Sequence, residues 1–146
     1  MFKPGDCVKG VFPVPGETLL DHHSVVVAID SSVKEAVAML VYTTSIKPGE
    51  ESTRHVLSRA FTDEERKMAK WPNPCRYDAT RVALVPVSKL TSIEGARVPS
   101  RTLKEITDSV MQASQRGRLQ RLPYNPAHPV RMTGHVSMLK REEAHR

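Results

Sequence analysis

Two histidines and a serine, His22, His23 and Ser24, stand directly before the apolar run "VVVAI" of residues 25–29. A β-branched run of this length predicts a strand that is buried on both faces. Imidazole changes its charge near neutral pH, so it can move protons or bind phosphate oxygens. Adjacent strand residues point to opposite faces, which makes the two histidines a poor metal pair by themselves. The stretch therefore predicts an acid–base site or an ordinary strand end.

Three hydroxyl residues, Thr43, Thr44 and Ser45, end the next apolar segment, "AVAMLVYTTS". The polar turn "SSVKE" separates the two segments and predicts an antiparallel pair. In such a pair the start of one strand lies beside the end of the other. We therefore expect the histidines and the hydroxyls at the same end of a sheet. The alternative is that the threonines are there for their β-propensity alone.

Other segments predict the elements that position these residues. "KPGDCVKGVF" reads as a turn and a first strand, and "PVPGETLLDHH", with two prolines and a glycine, as a loop of about ten residues. A long insert, residues 46–80, carries a short helix at "FTDEERKMAK", with Thr62 or Asp63 as its N-cap, and "HVLS" predicts a strand before it.

Towards the C-terminus, "TRVALVPVSKL" predicts another strand and "TSIEGARVP" a turn-rich connection. "SRTLKEITDSVMQAS" predicts a helix capped by Ser100 or Thr102, with Thr102 and Glu105 fitting a capping box. One apolar stripe supports the helix: Leu103, Ile106, Val110 and Ala113. The fold class is therefore mostly β (α+β), a strongly bent antiparallel sheet or barrel with a helical insert and a C-terminal helix.

The positive charge lies mainly in the last part of the chain. Of the net charge of +6, residues 116–146 carry +5 and residues 1–115 only about +1. We therefore divide the chain into a body, residues 1–115, and a basic extended or disordered tail, residues 116–146. A basic tail suits RNA or DNA, and it equally suits solubility alone.

Several classes of function have no signature here. Cys7 and Cys75 are the only cysteines, too few for a disulfide scaffold or a CxxC zinc site. No glycine-rich phosphate loop, HExxH or GxSxG is present. We expect no metal and no cofactor. The lack of a signal peptide and of an apolar run of about 20 residues predicts a cytoplasmic protein that does not enter the membrane.

The segments "KPGDCVKGVFPVPG", "DHHSVVVAID", "VYTTS", "RVALVPVSKL" and "VPSRTLKEITDSV" follow one another in an order that resembles the MazF/PemK toxin family. The resemblance covers about residues 3–115. It implies an SH3-like barrel, usually a homodimer, that cleaves single-stranded RNA without a metal and is neutralised by an antitoxin.

The resemblance also implies site residues. "TTS" puts Thr44 at the family's threonine, with Ser45 beside it. His23 takes the place of the phosphate-binding arginine and Ser24 that of the following proline, while the acidic position falls near Val85. The predicted catalytic residues are thus His23, Thr44 and Ser45. The predicted nucleic-acid-binding residues are His22, Ser24, Arg54, Arg76, Arg81, Arg118 and Arg121.

Three functions remain open on this sequence. The first is a toxin-type endoribonuclease. The second is a catalytically degenerate barrel that binds protein or nucleic acid, as a regulator of phage or plasmid type. This second function is favoured by the missing arginine, because histidine is cationic only below its pKa. The third is a DNA-binding protein that uses the basic tail.

Overall fold

The computed structural model describes residues 2–14, 17–32, 34–46 and 57–123. Seven strands and two α-helices follow one another in these segments: β1 (Asp6–Val14), β2 (Glu17–Asp30), β3 (Val37–Ser45), β4 (Ser58–Ala60), α1 (Asp63–Ala69), β5 (Cys75–Pro86), β6 (Leu90–Arg97), α2 (Ser100–Gln115) and β7 (Gln120–Pro123). A single 3₁₀ turn, Val87–Lys89, joins β5 to β6.

One sheet contains all of these strands. Its order is β4-β5-β3-β2-β1-β6, with antiparallel neighbours, and β7 pairs in parallel with β5. The predicted class, a mostly antiparallel β protein with two helices, is confirmed. Within the described chain the order has two different ends, β4 and β6, so the sheet is open.

The sheet buries apolar side chains on both faces. Along β3, Met39 and Val41 pack in the cluster that includes α2, whereas Ala38 and Leu40 pack in a second cluster on the other face. The second cluster, here called the inner cluster, is formed by Val8, Phe12, Val26, Ala38, Leu40, Ala83, Val85 and Leu122. This cluster contains side chains of both β1 and β7, which are separated in the sheet by β5, β3 and β2. The sheet must therefore be strongly curled.

The strand pair at the centre is as predicted. β2 pairs with β3 from Val25–Val41 to Asp30–Val37. The loop predicted for "PVPGETLLDHH" is wrong, because β2 already begins at Glu17 and Pro13 pairs with Thr18. β6 pairs with β1 only as far as Gly10, so beyond that residue β1 and β2 form a two-stranded hairpin that tolerates a proline.

The connection predicted for "TSIEGARVP" is also wrong, since these residues belong mostly to β6. β6 is an edge strand whose side chains are largely exposed, so it needs little apolar pattern. Of the strand expected at "HVLS", residues 55 and 56 lie outside the described residues, Leu57 is in a turn, and β4 begins at Ser58. β5 begins at Cys75, earlier than predicted. The last part of the predicted insert, residues 75–80, therefore belongs to the sheet.

Both helices lie where the sequence predicts them. Thr62 is the N-cap of α1 and forms a capping box with Glu65. In α2, Ile106, Val110 and Ala113 are fully buried, and Leu103 packs against the same cluster. The caps predicted for α2 are wrong. Its N-cap is Pro99, without a side-chain hydrogen bond, because Thr102 and Glu105 bind residues of other elements instead.

β7 lies within the segment predicted as an extended or disordered tail. Leu119 and Leu122 are buried, one in each cluster. Residues 124–146 lie outside the described residues. Within the described chain, no helix is long and apolar enough to cross a membrane.

Val26→Asp should prevent folding, because Val26 is fully buried in the inner cluster and a carboxylate there has no partner. A cost of several kcal/mol is a large part of the roughly 5–15 kcal/mol that stabilises a typical domain. Circular dichroism and gel filtration measure the outcome. Ser92→Asp, at an exposed position of β6, is the control and should fold normally. A folded, monodisperse Val26→Asp variant would contradict the burial of this strand.

Candidate functional site

β2 continues past the end of its backbone ladder with β3, and side chains join the two strands there. The β2–β3 ladder stops at Val25–Val41. Beyond it, the Thr43 hydroxyl donates to the His23 carbonyl at 2.5 Å, and Nε2 of His22 lies 2.7 Å from the Thr43 carbonyl oxygen. The histidines and hydroxyls therefore lie side by side, as the antiparallel pairing predicts, at the end of β3 but within β2, which begins at Glu17.

His22 is held in an aromatic row. Its ring stacks on Tyr42 at 5.5 Å and an interplanar angle of 16°, and it meets Phe12 on β1 at 5.5 Å in a tilted contact. Burial lowers the pKa of His22 below 6.5, the hydrogen bond to Thr43 opposes this, and His23 lowers the pKa further. A carbonyl oxygen only accepts, so Nε2 carries the proton and Nδ1 of the neutral ring keeps its lone pair.

His23 has different surroundings. It pairs with Lys9 of β1, and alternation along β2 puts its side chain on the face opposite to that of His22. Burial and the charge of Lys9 both lower the pKa of His23. The structure thus brings His22, and not the predicted catalytic His23, against the aromatic row.

The hydroxyl residues differ in exposure. Thr43 is buried and its hydroxyl is engaged by β2, whereas Thr44 is half-buried and Ser45 is exposed. Ser24 is buried, and within the described part of the chain its Oγ has no hydrogen-bond partner. Thr44 and Ser45 therefore remain as hydroxyls that a ligand can reach.

Arg76 lies directly across from Thr44. The β3–β5 register pairs Thr44 with Arg76 and Ser45 with Cys75. Paired residues of an antiparallel ladder share a face, with Cβ atoms about 4.5–5.5 Å apart. Arg76 is exposed, so a permanent cation and a hydroxyl stand side by side at the end of β3. The sequence offered Arg76 only as one arginine among several.

A bulge in β5 brings a second arginine to the same face. The register passes from Val41–Val82 to Tyr42–Asp78, so residues 79–81 have no partner on β3. Asp78 accepts hydrogen bonds from the backbone N–H and the hydroxyl of Thr80, which stabilises this bulge. The Arg81 guanidinium then lies 5.4 Å from the centre of the Tyr42 ring.

Tyr42 therefore stands between His22 on β2 and Arg81 on β5. The sequence alone assigns no role to Tyr42, because a tyrosine inside an apolar strand is ordinary core. The signal that marks it is its place one residue before the three hydroxyls, which puts it on the same face as Thr44. We call His22, Tyr42, Thr44, Arg76 and Arg81 the strand-end cluster.

The remaining predicted residues lie elsewhere. Arg121 donates to the Leu119 carbonyl and to the Ser114 hydroxyl, so it ties β7 to the end of α2, and burial lowers its pKa. Arg118 is exposed beyond α2. Arg54 lies outside the described residues. Val85, near which the resemblance places an acidic residue, is fully buried.

A second polar cluster joins β4, α1 and α2. The Arg59 guanidinium donates to the carboxylates of Glu65 and Glu105 at 2.8–2.9 Å, beside a cleft of about 420 Å³. Burial alone would raise the pKa of Glu65, but hydrogen bonds from Arg59, the Thr102 hydroxyl and the Thr62 N–H lower it to about 2. These groups pair with one another, which is the pattern of a structural link.

The described residues contain no group of three histidine, cysteine, aspartate or glutamate side chains placed to hold a metal ion. No family model and no curated protein matches the chain.

Arg59→Met should lower the free energy of unfolding by about 3–5 kcal/mol, because it leaves the Glu65 carboxylate buried without its cation. Urea denaturation measures the change. Arg101→Met is the control. Arg101 is exposed and meets Glu64 at 3.4 Å, so its loss should cost about 0–1 kcal/mol.

The cost of Arg59→Met should also depend on pH. The folded-state pKa of Glu65 lies below its ordinary value of 4.5, so the carboxylate stabilises the fold fully above that value. This contribution disappears as the pH falls towards about 2. The difference between wild type and Arg59→Met should therefore shrink on acidification. An equal difference at pH 7 and pH 3 would show that Glu65 is not the group concerned.

Proposed function

We propose that the chain is a metal-independent, toxin-type endoribonuclease that cleaves single-stranded RNA at the end of β3. The observation that carries this proposal is the pairing of Thr44 with Arg76. A ribonuclease of the kind that the sequence resembles needs an arginine and a hydroxyl at one phosphate. His23 takes the place of that arginine in the sequence, and Arg76 supplies the permanent cation from the neighbouring strand.

The two side chains suit a phosphodiester. Arginine stays charged at any physiological pH and can donate two parallel hydrogen bonds to phosphate oxygens. The Thr44 hydroxyl can donate a third. Donors aimed at the oxygens of the reacting phosphate stabilise the charge that builds up when a hydroxyl attacks the phosphorus. Arg81, further along the same face, adds positive charge for a neighbouring phosphate.

Single-stranded RNA fits this site better than a duplex. A flexible strand can turn its 2′-hydroxyl into line with the bond that breaks, which an A-form helix resists. The reaction then yields a 2′,3′-cyclic phosphate and a 5′-hydroxyl.

The proposal includes the architecture and the setting that the resemblance implies. We take the curled sheet as an SH3-like barrel, which is supported by the contact of β1 and β7 side chains in the inner cluster. An enzyme of this type acts on cytoplasmic RNA, and an antitoxin keeps it inactive. The open edge of β6 suits a second copy of the chain, so we include a homodimer.

Arg76→Gln and Thr44→Val should each slow RNA cleavage by about 100-fold or more while the fold persists, because each removes a donor to the phosphate. Arg76→Lys should retain part of the rate, since it keeps the charge but loses the second donor. Arg101→Gln, on an exposed turn of α2, should cleave like wild type. A long mixed-sequence RNA, followed by gel electrophoresis with and without chelator, is the assay. Wild-type protein that leaves this RNA intact would contradict the proposal.

A second function, an RNA-binding module without catalysis, is favoured by one observation. Asp78, the carboxylate paired with Tyr42, is engaged by Thr80, and the buried Val85 lies near the place of the family's acidic residue. Filter binding separates the two functions. RNA binding that weakens in Arg76→Gln and Arg81→Gln, together with no cleavage by wild type, would favour the module.

Static light scattering should report about twice the chain mass of 16.3 kDa, because the proposed toxin is a homodimer. Measurements over a hundredfold range of concentration give the mass and its dependence on dilution. A mass of one chain at every concentration would count against the dimer.

A further inference from the structure

We propose that His22, and not its neighbour His23, is the general base that activates the RNA 2′-hydroxyl, and that it acts through Nδ1. This inference rests on the proposed ribonuclease function and names the residue that takes the proton. It differs from the sequence-based assignment, in which His23 was the catalytic histidine.

The hydrogen bond at Nε2 fixes the tautomer of His22. Nε2 of His22 lies 2.7 Å from the Thr43 carbonyl oxygen, and a carbonyl cannot donate. The ring proton is therefore on Nε2, and Nδ1 is the basic atom. Fixing one ring nitrogen by a backbone acceptor is how a protein selects the tautomer in which the other nitrogen accepts a proton.

The His22 ring lies on the same face of the sheet as Thr44 and Arg76. Stacking on Tyr42 and the tilted contact with Phe12 hold the imidazole plane on the face that also carries Thr44. Thr44 in turn stands opposite Arg76. A base, a hydroxyl and a permanent cation thus occupy one face on three adjacent strands, β2, β3 and β5.

The surroundings of the His22 ring determine its protonation state. His23 follows on the same strand, Tyr42 comes from β3, and Arg81 from β5 lies over the far side of Tyr42. From β1 the neighbour is the apolar Phe12. Burial favours the neutral ring and outweighs the hydrogen bond to Thr43, which favours the charged one; the neutral ring is the form that a general base needs at neutral pH.

The step balances without a further reactant. Nδ1 of His22 takes the proton of the 2′-hydroxyl as this oxygen forms its bond to phosphorus. The bond from phosphorus to the 5′-oxygen breaks, and the leaving oxygen takes a proton from solvent. The products are a 2′,3′-cyclic phosphate and a 5′-hydroxyl, and the imidazolium returns its proton to water. Tyr42 touches no reacting atom in this scheme and is a positioning residue.

The chain offers a matched control in His23. It is the same residue type, one position away, with a pKa that burial also lowers, but it faces Lys9 on the opposite side of the sheet. Glutamine suits both positions, because its amide N–H can replace the Nε2–H donor while it supplies no base. His22→Gln therefore keeps a donor to the Thr43 carbonyl oxygen and removes the base, together with the ring that stacks on Tyr42.

The test measures cleavage of a fluorogenic single-stranded RNA by wild type, His22→Gln and His23→Gln. We expect His22→Gln to lower kcat by about 100-fold or more, with RNA binding within about twofold of wild type, and His23→Gln to resemble wild type. The wild-type profile of kcat/KM against pH should fall on the acid side with an inflection below 6.5, and this inflection should be absent from His22→Gln. RNA with a 2′-deoxy sugar at the cleaved position should resist all three proteins.

Three results would overturn the inference. His22→Gln that cleaves at the wild-type rate with an unchanged pH profile, while Arg76→Gln is inactive, would remove His22 as the base and leave the ribonuclease function standing. Nitrogen NMR of the His22 ring that finds the proton on Nδ1 would do the same. Wild-type protein that cleaves no RNA would overturn this inference together with the proposed function.

Discussion

The Glu65 carboxylate is the constraint on which the arrangement around the site depends. It is almost fully buried, so it needs a cation and several donors at once. Arg59 comes from β4 and Thr102 from α2, while the carboxylate itself caps α1. This one group therefore fixes β4 against both helices. β4 in turn pairs with the part of β5 that contains Arg76.

The end of β3 shows how a fully buried strand can finish in a polar site. Its middle is covered on both faces, so hydrophobic burial fixes its direction and register. At its end the backbone ladder to β2 stops, and side chains of His22 and Thr43 make the connection. Tyr42 is the transition between the two parts, since it touches the apolar Phe12 on one side and Arg81 on the other.

The sequence predicted what depends on local pattern, and it missed what depends on partners. The alternation and apolar runs gave the central strands, the stripe of α2 and the meeting of the histidines with the hydroxyls. It misassigned Thr102 and Glu105, because a capping motif looks the same whether it serves its own helix or, as here, Glu65 and Arg59. Local reasoning named Arg76 among several arginines but could not place it beside Thr44, because that place follows from a register that a bulge has shifted.

The bulge of β5 also determines which insertions and deletions this strand can tolerate. Before it, the odd-numbered Cys75 and Tyr77 face the cluster around α2, and after it the even-numbered Val82 and Leu84 do so. Because three residues is an odd number, the bulge exchanges which residues of β5, odd-numbered or even-numbered, face the cluster around α2. The hydrophobic pattern of the sequence changes at the same point. Gain or loss of one residue at this point would expose one half of β5 and bury its polar side chains. An insertion or deletion of two residues in this bulge would keep every side chain of β5 on its face. Length changes by an even number of residues are therefore the ones that preserve both faces of the strand.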